Sequence, residues 1–292
     1  MALFKKKDKN DSEAQTKNKR AITTEDRLAM CDKISFAAAE AYKRLRTNIL
    51  FSFPDDYSCH IIGVTSSIKG EGKSVTAVNL AYTMAQNKKR VLLVDGDMRI
   101  PTVTKKLDFH VKSPGLSNLL VGMNEIDSTI QRYETEETHT SFDVMPIGDI
   151  PPNPAELLSS NRMVELMTSL KNYYDYIFID LPPICVVTDA LIVSRVADGM
   201  IVVVRQDYSR TDALKDATKQ LEFAEANIIG FVFNGASQSG KSYKRYSRAG
   251  KYYSRYYSRY YNRYYSRYYS SRYYTYKTSD YLEDNRKANK KQ

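Results

Sequence analysis

The chain has 292 residues, 42 % of them hydrophobic, with 44 Lys and Arg against 34 Asp and Glu and three cysteines. That is long enough for one large α/β domain or two small ones and apolar enough for a core. No stretch approaches 18 consecutive apolar residues and no apolar run follows the lysine-rich start, which excludes a membrane-spanning helix and a secretory signal and leaves a soluble protein as the expectation.

Cys31, Cys59 and Cys185 are far apart, lack a C-x-x-C spacing and have no neighbours suggesting a metal site, so they read as reduced cytosolic thiols. The formal net charge of +10 is not spread over the chain. Between Lys241 and Tyr281, eleven Lys and Arg stand against the single acid Asp280, and the remainder balances 33 against 33. The first 20 residues add seven bases and three acids, which leaves a mildly acidic body between two basic ends. Partners must therefore be argued segment by segment.

Residues 1–20 are polar and charged and are expected to be disordered, as the start of a flexible basic segment 1–33. Ile34 to Phe53 carries a helical pattern, with Phe36, Ala39, Leu45, Ile49 and Phe53 at three- and four-residue steps. Glu40, Lys43 and Arg46 fall on one polar face of that helix, which a solvated face with local ion pairs explains as readily as a contact surface.

Ile61 to Leu80 organises the chain. An apolar β-rich run leads into a polar glycine-bearing turn and then a helical pattern, and Ser67-Ile68-Lys69-Gly70-Glu71-Gly72-Lys73-Ser74 matches the phosphate-loop pattern with Ser in place of its first Gly. Small residues there let successive backbone N–H groups converge on phosphate oxygens at a helix N-terminus. Ser67, Lys69, Gly70, Glu71, Gly72, Lys73, Ser74 and Val75 are the candidate nucleotide contacts, with Lys73 on the β/γ-phosphates and the Ser74 hydroxyl on Mg²⁺.

Val91-Leu92-Leu93-Val94 is a strand pattern for a parallel sheet buried on both faces, and it ends in Asp95-Gly96-Asp97. Residues two apart in an extended chain project to the same side, so both aspartates can point beyond the strand end, where ligands bind in such sheets. Ser113 to Gly122 reads as a short helix, Phe142 to Ile147 as a short strand, and Ala155 to Leu170 as a helix or helix–turn–helix after three prolines. Tyr176-Ile177-Phe178-Ile179-Asp180 is a buried strand ending in an acid and followed by prolines, a Walker B pattern with Asp180 as the Mg²⁺ carboxylate. Asp189 follows in a helical stretch. Met200–Val204 and Ile228–Phe233 read as strands around a helix from Asp212 to Ala226, with Asn234 after the last strand. Strands alternating with helices imply a doubly wound, mostly parallel α/β sheet.

Past Gly240 the composition changes. A YYSR-like unit recurs every four residues, and Lys241–Tyr281 carries 16 of the 24 tyrosines with no aliphatic core residue, so 241–292 is expected to be low-complexity and disordered. Interleaved Arg and Tyr suit single-stranded nucleic acid, or an acidic membrane face; alternatively the tyrosines accept phosphoryl groups. Dense Tyr is poorly explained by phosphate binding alone, since Lys and Arg would suffice. Each phosphate adds about −1.5 to −2 charge, so roughly six cancel the tail's charge and make it a graded switch.

VTSSIKGEGKS, VLLVDGDMRIP, YIFIDLPP and the EAYKRLRTNI helix, with a terminal tyrosine cluster, resemble the bacterial tyrosine kinases of capsular and exopolysaccharide synthesis, in the form of the separate cytoplasmic subunit of Gram-positive organisms. The resemblance runs from about residue 34 to the C-terminus. It implies a P-loop NTPase fold of the MinD/ParA-like kind over 34–240, and an ATP- and Mg²⁺-dependent protein-tyrosine kinase that autophosphorylates in trans on the tail of residues 241–292. It matches Lys73 and Ser74 to Walker A, Asp95 and Asp97 to the second acidic motif, and Asp180 to Walker B. Asp95 is then the base toward the incoming tyrosine, Ser74, Asp97 and Asp180 hold Mg²⁺, and Asn234 reads the adenine.

The acceptors it implies are Tyr252, Tyr253, Tyr256, Tyr257, Tyr260, Tyr261, Tyr264, Tyr265, Tyr268, Tyr269, Tyr273, Tyr274 and Tyr276. It also implies a membrane-embedded chain-length regulator as activator, a cognate tyrosine phosphatase, cytoplasmic localisation with recruitment to the inner face of the membrane, and no nucleic-acid partner. A ring-shaped homo-oligomer is implied through Glu40, Lys43 and Arg46, where Lys43 keeps the charge but not the bidentate geometry of the family's Arg. Ser67 and Lys69 depart from the family's usual loop residues. The rival is a division-site or partitioning ATPase whose basic aromatic tail binds nucleic acid or an acidic surface. Against it stands Ile68, where those ATPases carry a signature Lys.

Overall fold

A computed structural model describes residues 30–53, 59–107 and 113–236. The chain divides into one unit running to Gly235 and a second from Ala236 to Gln292, and apart from Ala236 the described residues belong to the first. The expectations for residues 1–29 and for the tail, with all its tyrosine acceptors, lie outside the described residues.

Helix α1, Phe36–Ser52, starts where the Ser35 hydroxyl accepts the Ala38 N–H at 3.3 Å. Strand β1, His60–Ser66, runs into the loop and then into α2, Lys73–Gln86, and β2, Val91–Asp95. Three short helices follow, α3 (Val103–Lys106), α4 (Leu116–Leu120) and α5 (Ile126–Thr129), then strands β3 (Gln131–Glu134) and β4 (Ser141–Met145). The stretch after the prolines is a helix–turn–helix, α6 (Pro154–Leu158) and α7 (Asn161–Leu170), broken where Ser160 caps α7 by accepting the Met163 N–H. The chain continues as β5 (Tyr176–Asp180), α8 (Asp189–Val193), β6 (Gly199–Arg205), α9 (Thr211–Phe223) and β7 (Ile228–Asn234).

The seven strands form one sheet in the order β3-β4-β2-β5-β1-β6-β7. Every neighbouring pair is parallel except β3 with β4. From β1, beside the central strand β5, the chain passes out to β2 on one side, and from β5 it crosses to β6 on the other. That reversal is a topological switch point, where an open α/β sheet leaves a crevice at the carboxyl ends of its strands.

The continuous apolar runs are explained by burial on both faces. Ile61, Leu92, Val94, Ile177, Ile179, Met200 and Val202 turn to one face, against Met163, Met167 and Leu170 of α7 and Leu221 of α9. Their alternates Ile62, Val64, Leu93, Phe178, Ile201 and Val203 turn to the other, against Ala77, Val78 and Leu80 of α2 and Ile49 of α1. The rigid centre fixes where each strand ends, and the crevice residues are set from there.

Two features differ from the sequence pattern. Strand β3 has no apolar run to mark it, and exists because its backbone pairs antiparallel with β4 from Gln131↔Val144 to Glu134↔Ser141. On α1 the apolar stripe packs only from Tyr42 onward, through Leu45 and Ile49, and Phe36 at its first residue is 81 % exposed. Among the described residues no helix is long and apolar enough to cross a membrane.

Cys31 and Cys59 are buried and Cys185 is exposed. Burial is the main force that pushes both buried thiols up to about 12. Burial and Asp216 raise Cys185 as well. The thiolate is the reactive form. Alkylation of the native chain near pH 8, read by mass spectrometry, is expected to label Cys185 slowly and to spare Cys31 and Cys59 until the chain is unfolded in urea. Equal labelling of all three thiols in the native state would contradict this packing.

Candidate functional site

The loop between Ser66 and Lys73 turns on two glycines, Gly70 (φ +89°) and Gly72 (φ +99°), in the left-handed region that glycine adopts without strain. Gly72 is also the N-cap of α2 and supplies no side chain to its first amides. A 14-residue helix thus begins with its N–H groups directed at the loop, an arrangement suited to an anion. Glu71 lies in the same turn, but its carboxylate is buried and faces inward. It accepts the Ser67 hydroxyl at 2.9 and 3.0 Å, the Ile68 N–H at 2.9 Å and the Ser209 hydroxyl, so its side chain braces the loop.

The parallel register of β2 on β5 sets Asp95 opposite Asp180, and both are fully buried. Asp97, two residues past Asp95, is also buried. Lys73 Nζ donates to Asp97 Oδ2 at 2.9 Å and lies 3.4 Å from both Asp180 Oδ1 and Ser74 Oγ. The Thr102 hydroxyl is 2.7 Å from Ser74 Oγ. Asp97 Oδ1 accepts the Ile100 N–H at 3.1 Å and Asp95 Oδ2 accepts the Val103 N–H at 3.2 Å, so the turn after β2 wraps around its own two aspartates. Arg99 in that turn makes a bidentate pair with the fully buried Asp189 at the start of α8, at 2.9 and 3.0 Å, and fastens the turn to the opposite element.

The site gathers three carboxylates around one ammonium. Burial works to lower the Lys73 pKa, but the charges of Asp180 and Asp97 outweigh it and hold it above the ordinary value. Burial, reinforced by Asp180, raises Asp95 well above the usual carboxylate range. Burial raises Asp180 too, with Lys73 opposing it. Among the described residues Asp95 Oδ1 and Asp180 Oδ2 are buried without a hydrogen-bond partner, a costly arrangement that a cation or a proton relieves.

Ser74, Asp97 and Asp180 supply hard oxygen donors of the kind Mg²⁺ takes. Among the described residues no cluster of three His, Cys, Asp or Glu forms a metal site unaided.

Asn234, at the end of β7, donates its amide to the Glu71 carbonyl at 3.0 Å, so it sits on the loop. Val75 is in the first turn of α2, and the Lys69 side chain is exposed. Glu40, Lys43 and Arg46 are on α1. Lys43 pairs with Glu40 at 2.8 Å in the open, whereas Arg46 donates to the Thr83 carbonyl of α2 at 2.8 Å. Thr102 and Arg99 were given no role from sequence, and Asp189 only a place in a helical stretch. For Thr102 and Arg99 the signal was position: both follow a strand end in the run Asp95 to Thr102, beside the crevice.

An AAA domain family matches residues 59–228. Tyrosine-protein kinase YwqD of Bacillus subtilis is 36 % identical over 239 residues, 82 % of this chain and 96 % of that one. The kinase domain of Escherichia coli tyrosine kinase ETK superposes with a TM-score of 0.67 at 30 % identity, covering 72 % of this chain and 80 % of that chain. The chimerical protein CapA2B2 superposes with a TM-score of 0.62 at 34 % identity, covering 68 % of this chain and 85 % of its own.

Replacing Asp95 with Asn keeps an acceptor for the Val103 N–H and removes the charge. Because the folded-state pKa of Asp95 is raised, its burden on stability is full above that pKa, shrinks as the pH falls through it, and vanishes below the ordinary carboxylate value of 3.8. Asp95→Asn is expected to be more stable than wild type by about 1–3 kcal/mol at pH 8, and equal to it near pH 4, in urea titrations. A variant less stable than wild type at pH 8 would contradict the charge assignment.

Proposed function

The chain belongs to the bacterial tyrosine-protein kinases, and we propose that it uses Mg-ATP at the Ser67–Ser74 loop to phosphorylate, in trans, the tyrosines of its own C-terminal cluster. The observation that carries this reading is the gathering of Lys73, Ser74, Asp95, Asp97 and Asp180 at the ends of three strands, in a chain that also carries its own array of tyrosines.

In this reading the α2 N-terminus and the loop amides take the phosphates, Lys73 follows the β/γ-phosphate charge, and Ser74, Asp97 and Asp180 hold Mg²⁺. Bound Mg²⁺ supplies charge neutralisation across the transferring phosphoryl group. Thr102 orients the Ser74 hydroxyl. Asp95 Oδ2 is committed to the Val103 N–H, which leaves Oδ1 to accept the proton of the incoming tyrosine hydroxyl. Its raised pKa brings a carboxylate closer to the range where a general base is effective. The tyrosine oxygen bonds to the γ-phosphorus as the bond to the β–γ bridging oxygen breaks, and ADP leaves. Asn234 is assigned to the adenine from its place beside the loop.

The wider setting belongs to the same proposal. The kinase domain spans 34–240 and the acceptor tail 241–292. A membrane-embedded chain-length regulator recruits the cytoplasmic chain and activates it, a tyrosine phosphatase resets it, and the system serves capsular or exopolysaccharide synthesis. Ring assembly through α1 brings one tail to the next active site. The exposed Glu40–Lys43 pair is available for such a contact, while Arg46 is half-buried against α2. Adding phosphate to the tail, whose tyrosine-rich part from Lys241 to Tyr281 carries a net +10, reverses its charge and loosens the ring.

Lys73→Met in the full chain removes catalysis and keeps the tail; a chain ending at Gly240 keeps the site and loses the tail. Incubated separately with Mg-ATP and an activator segment, neither is expected to carry phosphotyrosine, while wild type does. Mixed, the truncated enzyme is expected to label the Lys73→Met chain on its tail. Label on the truncated chain alone would displace the acceptors from the tail, and ATP hydrolysis with no label anywhere would favour a plain ATPase.

A further inference from the structure

The phosphate loop is held from outside by three side chains, of which the phosphoryl-transfer reading uses only Asn234. Three successive loop carbonyls each take a donor from the far side of β1. The Tyr208 hydroxyl donates to Lys69 O, Arg205 Nη1 to Gly70 O and Asn234 Nδ2 to Glu71 O, each at 3.0 Å. Both left-handed glycines are covered in the same way. A Cβ on Gly70 would lie 2.8 Å from the Tyr208 hydroxyl, and one on Gly72 would run into the Asn234 amide. At each glycine, one side chain closes over the Cα and bonds to the preceding carbonyl.

The turn after β6 is built to present this clamp. Asp207 adopts φ +55°, which turns the chain sharply. The Ser209 hydroxyl accepts the Arg205 N–H at 2.7 Å and donates to the buried Glu71 carboxylate, tying both ends of the turn to the loop. The Arg205 guanidinium lies over the Tyr208 ring, 4.9 Å from its centroid. A nest of N–H groups keeps its direction only while the carbonyls of the same peptides are held pointing the other way. Tyr208 is 47 % exposed and supports little of the core, so holding the loop is its evident contribution.

We propose that Tyr208 is a positioning residue for nucleotide binding: its hydroxyl on Lys69 O, together with Arg205 and Ser209, fixes the loop amides in the geometry that receives phosphate. This rests on the reading of the loop as the phosphate site. Donors preorganised in this way spend no binding energy on ordering the loop. Losing one of them weakens nucleotide binding and spares the chemical step.

The test uses the full chain with Mg-ADP calorimetry, ATP-dependent tail labelling and thermal melting. Tyr208→Phe removes only the donor and keeps the ring beneath Arg205. It is expected to raise the ADP Kd and the ATP KM about fivefold, with kcat at saturating ATP within about twofold of wild type and an unchanged Tm. Ser209→Ala is expected to shift affinity in the same direction. Wild-type affinity in Tyr208→Phe overturns the clamp, as does a fall in kcat and Tm without a rise in KM, which marks a merely structural role. Lys73→Met separates the two layers of the argument. If it binds ADP as tightly as wild type, the phosphate-site reading fails and the clamp with it; if it loses ADP while Tyr208→Phe does not, the clamp alone fails.

Discussion

Three buried carboxylates share one ammonium at the mouth of this sheet, and the site is built around that imbalance. Asp95 and Asp180 are locked opposite each other by the parallel pairing of β2 with β5. Asp97 follows two residues on, and Lys73 reaches across from α2. Such a cluster is costly to fold, because neither aspartate can move to water without breaking the central strands. A protein core has no use for uncompensated oxygens such as Asp95 Oδ1 and Asp180 Oδ2. In the proposed role, a site that attracts a cation and receives a proton does, and the instability is the counterpart of that role.

The same economy of position explains the loop. The α2 amides are left uncapped, so the loop must be stiffened from elsewhere, and the stiffening comes from both directions. Inside, the Glu71 carboxylate gathers Ser67, Ile68 and Ser209. Outside, Arg205, Tyr208 and Asn234 hold the carbonyls. Strands β6 and β7 carry none of the site's carboxylates, yet their ends supply the frame against which the loop is set.

Much of this was legible in the sequence because it depends on local pattern. The apolar runs of β1, β2, β5 and β6 alternate to two buried faces, and their lengths placed Asp95 and Asp180 at strand ends before any register was known. The loop glycines and Lys73 were readable for the same reason: phosphate binding fixes their spacing. Long-range hydrogen bonding decided what was not legible. Strand β3 has no apolar signature and is made by its partner. Glu71 read as one more loop residue, and only the fold shows its side chain turned inward. Thr102, Arg99, Asp189, Tyr208 and Ser209 act through contacts from 28 to 139 residues away in the chain, which no spacing rule reaches. On α1, helical periodicity was correct, but it could not say that Arg46 would bind α2 while Glu40 and Lys43 stayed outside.

The central claim is that the carboxylate cluster exists to place a divalent cation beside phosphates at the loop. Calorimetric titration of wild type and Asp180→Asn with ADP, each with and without Mg²⁺, tests it most directly. The account predicts that Mg²⁺ tightens ADP binding to wild type at least about tenfold, one step of about 1.4 kcal/mol, and that Asp180→Asn abolishes that difference while still binding ADP through the loop. Equal affinities with and without Mg²⁺ in wild type, or full Mg²⁺ dependence retained in the variant, would contradict it.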